Sequence, residues 1–140
     1  MLLPAVVAAT IFVVISAIHF YWAFGGQWGV REAVPVNTAG EPMLHPGAAG
    51  TFIVALGLLF FAAVLTANTG VFDDLASRKI VSWTTRGIAV IFAIRAIGDF
   101  KYVGLFRKVR ATPFARKDTV LFTPLCIVLC ILCLLAAQPI

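Results

Sequence analysis

The chain has 140 residues, of which 61% are apolar and 12% charged, with a net charge of +5 and a mean hydropathy of +1.01. A soluble domain coats itself with far more charge than this, so an ordinary soluble fold is excluded, and the length suits one domain. Four apolar runs, at roughly residues 2–24, 48–69, 87–106 and 119–138, each approach the ~20 residues that cross a bilayer as helix. Backbone amides find no water in hydrocarbon, so such runs must be helical. The sequence predicts an all-α integral membrane protein, a four-helix bundle filling residues 1–140 as a single domain.

Helix 1 opens with Pro4 in a tolerated first-turn position. It lacks the basic n-region of a signal peptide and is too long for an h-region, so it is expected to remain as a span. Gly25 and Gly26 end it, and Tyr21, Trp22 and Trp28 form an interfacial aromatic belt. The long connection that follows holds Pro35, Pro42 and Pro46 and has the length of a lid or binding loop. Helix 2 is uncharged, and Gly50 and Gly57, on one face, suggest close helix approach.

The 2–3 connection is expected to form a short interfacial helix. In it Asp74 and Arg78 are spaced for an i,i+4 pair, and Leu75, Ile80, Val81 and Trp83 are available to lipid. Helix 4 is expected to start at an Asp118 cap and to kink at Pro124, about two turns in, freeing a carbonyl near Val120. Cys126, Cys130 and Cys133 share one face of that helix, too constrained for disulfides with each other, and read as small packing residues. Connections 1–2 and 3–4 carry Arg31, Arg107, Lys108, Arg110, Arg116 and Lys117, against Arg78, Lys79 and Arg86 in connection 2–3. That asymmetry favours 1–2 and 3–4 inside the cell and the termini outside.

Helix 3 carries the anomaly. Arg95 and Asp99 lie ~16 Å and ~10 Å from its basic-loop end, at depths where an uncompensated charge costs about 2.5–3.5 kcal/mol. They are i,i+4 on a face shared with Ile88, Phe92, Tyr102 and Phe106, which must therefore turn inward. Lys101 lies off that face and is expected to snorkel. Ser16, His19 and Trp22 share a face of helix 1 near the same end, while Glu32, Glu41 and His45 sit in the loop above and Asp118 caps helix 4 there. The opposite leaflet receives little beyond Thr10, Thr66 and Asn68. The convergence points to a polar chamber at one end of a greasy bundle.

Each residue also has a bland role: Arg95–Asp99 as a structural ion pair, His19 bonded to a carbonyl, Asp118 as a cap, the basic loop as a topology anchor, and Glu41 and His45 as solvated loop residues. The sequence offers no zinc set and no nucleophile-elbow, phosphate-loop or dinucleotide fingerprint. A haem pair of His19 and His45 is disfavoured because one lies in a Pro-rich loop. No cofactor or metal is expected. A nucleic-acid partner is excluded by the shortness of the basic loop and the lack of a reading helix or stacking sheet.

At "HFYWAFGGQWG" (19–29), "GDFKYVGLFRKVRATPFARKDT" (98–119) and "FTPLC" (122–126), the chain resembles a bacterial family of small, roughly four-helix membrane proteins, the domain of unknown function 3995. The resemblance implies a bacterial inner-membrane protein and brings no activity with it. The chamber suggests a bound small amphiphile, lipid-like or anionic. Arg95 would hold its polar group, Asp99 orient it and His19 exchange a proton, with Trp22 and Tyr102 lining the pocket and Glu41 and Asp118 closing it. The competing functions are a transporter, channel or proton relay completed by homo-oligomerisation, and an accessory subunit whose charges pair with a partner's helices.

Overall fold

The computed structural model describes residues 2–26, 47–97 and 122–137. Among them are four helices and no strand: α1 (Leu2–Ala23), α2 (Ala48–Ala67), α3 (Arg78–Ile97) and α4 (Thr123–Ala136). α1 packs along α2 and α4, and α3 along α4 and α2, closing a ring of four. Phe20 on Phe52, Ser16 on Ala55 and Phe12 on Phe61 climb α1 while descending α2. Asn68 on Thr85 and Phe61 on Phe92 do the same for α2 and α3. Neighbours are antiparallel, so α1 and α3 run parallel.

The helices form because backbone amides among such apolar side chains have no partner but each other, and no proline interrupts the first three after Pro4. Their inward stripes recur every three or four residues: Ala5, Ala8, Phe12 and Ser16 on α1, and Ala55, Leu58, Ala62 and Leu65 on α2. α4 contributes Cys126, Leu129, Cys133 and Ala136. Small side chains therefore line the interior, while Ile53, Phe60, Ile91, Ile94 and Leu134 face outward, each at least half exposed. A water-soluble helix shows the reverse, and no soluble monomer tolerates so continuous an apolar surface. In lipid, small residues at the seams let backbones approach, and large ones meet the acyl chains. α1, α2 and α3 are each long and apolar enough to cross a membrane, and the described part of α4 is apolar over 14 residues. The chain is a membrane protein.

Phe12, Phe61 and Phe92 meet in the middle, with ring centroids 5.6, 5.4 and 6.2 Å apart. This triangle ties three helices together at one level. Nearby, Ser16 Oγ donates to the Ala55 carbonyl at 2.7 Å, across the α1–α2 seam and out of contact with solvent. Ser16→Ala is expected to lower stability in detergent by about 1 kcal/mol, read as a reduced thermal midpoint.

Helix 3 departs most from the sequence expectation. It begins at Arg78, nine residues before the predicted start at 87, because Arg78, Lys79 and Arg86 interrupt the apolar run but not the helix: both residue types are good helix formers that snorkel. Ile80, Val81 and Trp83 thus belong to α3, and Val81 is buried. The 2–3 connection is a run of turns over 68–76 rather than an interfacial helix. Arg78 pairs not with Asp74 but with Asp73, at 2.7 Å. Gly70 explains the geometry: it adopts φ +94°, and a Cβ there would crowd the Arg78 guanidinium at 3.0 Å.

One further expectation is corrected. Gly50 and Gly57 have open space where a side chain would project, so they make no close helix contact; alanines fill that role on α2. Pro124 stands near the start of the described α4, with Phe122 before it already in helical conformation (φ −70°, ψ −46°); the Asp118 cap and the turn before Pro124, on which the expected kink depends, lie outside the described residues. Val120 and its carbonyl lie outside the described residues, as do Trp28, Lys101 and the basic 3–4 connection.

Candidate functional site

α1 ends in a Schellman turn. Gly25 adopts φ +100°, the Gly25 amide bonds the Trp22 carbonyl at 3.0 Å, and the Gly26 amide bonds the Tyr21 carbonyl at 2.9 Å. Gly26 lies flat against the Tyr21 ring, leaving no room for a Cβ. The Gly-Gly pair thus stops the helix just above His19 and Trp22.

His19 is half-buried, and its Nδ1 lies 2.8 Å from the Ile15 carbonyl. A carbonyl only accepts, so Nδ1 carries a proton in this bond and Nε2 is directed away from it. The Trp22 ring stands edge-on to the imidazole, centroids 5.0 Å apart, and limits its rotation. The carbonyl bond expected as the bland role of His19 is real, yet it uses one nitrogen and orients the other.

Arg95 sits in the last described turn of α3, half-buried. It continues the stripe Val81, Thr85, Ile88 and Phe92 that faces the core. Phe12 and Phe92 are in contact, and α1 and α3 run parallel, so Arg95 is level with Ile15 and His19 lies about 6 Å further out. The aromatic triangle is the dry floor beneath both. Ser16, grouped with His19 and Trp22 by spacing, is committed to its bond with Ala55. Asp99, Tyr102, Glu41 and Asp118 lie outside the described residues, as does His45; of the predicted set the structure sets His19 against Trp22 and carries Arg95 on α3 at the same end of the bundle. Among the described residues no group of His, Cys, Asp or Glu has the makings of a metal site. Cys126 and Cys133 are buried in the core and form no disulfide.

A second polar cluster at the opposite end escaped the sequence reading. Asn68 is 3% exposed, and Ser82 and Thr85 are fully buried. Asn68 Nδ2 donates to the Val64 carbonyl at 3.0 Å and to Thr85 Oγ1 at 2.7 Å, and Thr85 Oγ1 donates to the Val81 carbonyl at 2.8 Å. The sequence presents Asn68 only as an isolated polar group of the opposite leaflet, and Ser82 and Thr85 precede the expected start of helix 3 at 87, so nothing in it joins the three. The spacing of Ser82 and Thr85 with Ile88, Ala89 and Phe92, three or four apart, was the available signal.

The family model described as "Protein of unknown function (DUF3995)" matches residues 12–133, and the chain belongs to that family. No curated protein and no solved structure matches it.

Proposed function

We propose that this member of the DUF3995 family binds a small amphiphilic or lipid-like molecule in a polar chamber at the end of the bundle marked by His19, Trp22 and Arg95. The observation that carries this is an oriented imidazole on α1, packed against Trp22, at the same end of the bundle as a half-buried arginine on the inward stripe of α3, above an apolar floor. Arg95 would take the ligand's anionic or carbonyl group through its planar fork. His19 Nε2 would accept a proton from it, and Trp22 would cover its apolar part. Asp99, Tyr102, Glu41 and Asp118 complete the proposed site, with Asp99 orienting the Arg95 fork. In this proposal the end faces the cytoplasm across a bacterial inner membrane, which the excess of basic residues in connections 1–2 and 3–4 supports.

The buried Asn68, Ser82 and Thr85 favour a second reading, a proton or solute relay, because they supply polar groups at the other end. Between the two ends stands the Phe12–Phe61–Phe92 triangle, with Leu65 and Ile88 also sealed from solvent. A path within one protomer would have to cross that apolar layer, so a relay needs an oligomer. Ligand binding does not.

Native mass spectrometry of gently purified protein beside an Arg95→Leu variant tests the proposal. The expected result is a discrete small-molecule mass on the wild type that is lost from a folded variant. An empty wild type overturns it, and an oligomer or a stoichiometric companion then selects the relay or the accessory role.

A further inference from the structure

The described threonines share one habit. Thr10, Thr51, Thr66, Thr69, Thr84 and Thr85 each donate their hydroxyl to a carbonyl three or four residues back, at 2.6–3.1 Å. Thr123 is the exception among them. It is 1% exposed, yet its Oγ1 is sealed and meets no donor or acceptor among the described residues. A hydroxyl taken out of water without a bond is destabilising, and native structures keep few such groups without a use for them.

Its position supplies the use. Thr123 is the first residue of α4 and heads the inward stripe that continues through Cys126, Leu129, Cys133 and Ala136. Leu129, Cys133 and Ala136 share the core with Ala5, Ala8 and Phe12, so the second half of α4 lies beside the first half of α1. Thr123, about 9 Å back along α4 from Leu129, therefore faces inward toward the end that holds His19 and Arg95. Other polar groups at this end are engaged elsewhere: Ser16 with the Ala55 carbonyl, and His19 Nδ1 with the Ile15 carbonyl. Among the described residues the charge at this end is that of Arg95, while Asp73 and Asp74 lie at the other end. A positive end favours an anionic head. A carboxylate is a small one, with little water to shed on reaching so enclosed a hydroxyl, and it accepts from a hydroxyl as from a guanidinium. Building on the reading of this end as a ligand chamber, we infer that Thr123 is one of its binding residues and that the ligand is a long-chain carboxylate. Thr123 Oγ1 donates to one carboxylate oxygen, and the alkyl chain lies among the apolar side chains.

The test adds dodecanoate to the protein in a neutral maltoside detergent. Bound mass is read by native mass spectrometry, and the thermal midpoint is taken with and without the probe. Thr123→Val keeps the shape and removes the hydroxyl. It is expected to bind dodecanoate about tenfold more weakly than the wild type, the worth of one hydrogen bond to a charged group, whereas Thr123→Ser stays close to the wild type. Without the probe, Thr123→Val should melt no lower than the wild type, because a buried hydroxyl with no partner adds no cohesion. A lower midpoint overturns the inference by making the hydroxyl structural. Wild-type affinity in Thr123→Val also overturns it; if Arg95→Leu then loses the probe, the chamber stands and only the role of Thr123 falls. A wild type that takes up no dodecanoate overturns it as well, and the chamber is then judged by the mass carried through gentle purification.

Discussion

Phe12→Ala is expected to destabilise the bundle by about 3 kcal/mol, at the lower edge of the range for emptying an aromatic core position. Phe12 is fully buried, and its ring touches Phe61 on α2 and Phe92 on α3. One side chain therefore holds three helices in register. In hydrocarbon the transfer part of the loss shrinks, because lipid is as apolar as the core, but the dispersion contacts forfeited around the cavity do not. Phe60 is the natural control, since it is 58% exposed toward lipid, and Phe60→Ala should leave the thermal midpoint in detergent almost unmoved. Equal losses for the two variants would show that the triangle is not the centre of cohesion.

The second large effect is expected at Thr85. Asn68 uses its two amide hydrogens on the Val64 carbonyl and Thr85 Oγ1. Thr85→Val keeps the shape but strands one of those hydrogens where water does not reach, which costs about 1–3 kcal/mol. Removing both partners is the milder change: Thr85→Val/Asn68→Leu should recover part of the loss, because an apolar pair leaves no donor unsatisfied. A thermal-melting double-mutant cycle reads this directly. A double variant less stable than the sum of the singles would mean that the amide and hydroxyl are not a coupled pair.

The two polar ends differ in kind. At the Asn68 end the hydrogen bonds run between α2 and α3 and back onto their own helices, an arrangement that serves cohesion. At the His19 end one nitrogen is committed to the backbone, and the other is directed away from it, with Arg95 on α3 at the same end of the bundle. Polarity alone does not separate a structural cluster from a binding one. The direction in which the hydrogen-bonding groups point does, and it needs coordinates.

Composition and run length by themselves determined the class. An excess of apolar residues with too little charge to coat a soluble surface permits only spanning helices, and α1 and α2 occupy Leu2–Ala23 and Ala48–Ala67 as their uncharged runs require. The inward turn of the Arg95 face was equally legible, since a charge among apolar residues at helical spacing has nowhere else to go. The start of α3 was not, because Arg78, Lys79 and Arg86 can as readily end a span as snorkel from within it, and hydropathy does not distinguish the two. Misplacing that start concealed Ser82 and Thr85 and assigned Arg78 the wrong acid. Only the tertiary structure decided which small residues make the seams, alanines instead of Gly50 and Gly57, and which ring closes the core. Helical periodicity states that Phe12, Phe61 and Phe92 lie on particular faces of their own helices; that the three faces meet at one level follows from the antiparallel register of neighbours, which no single segment encodes.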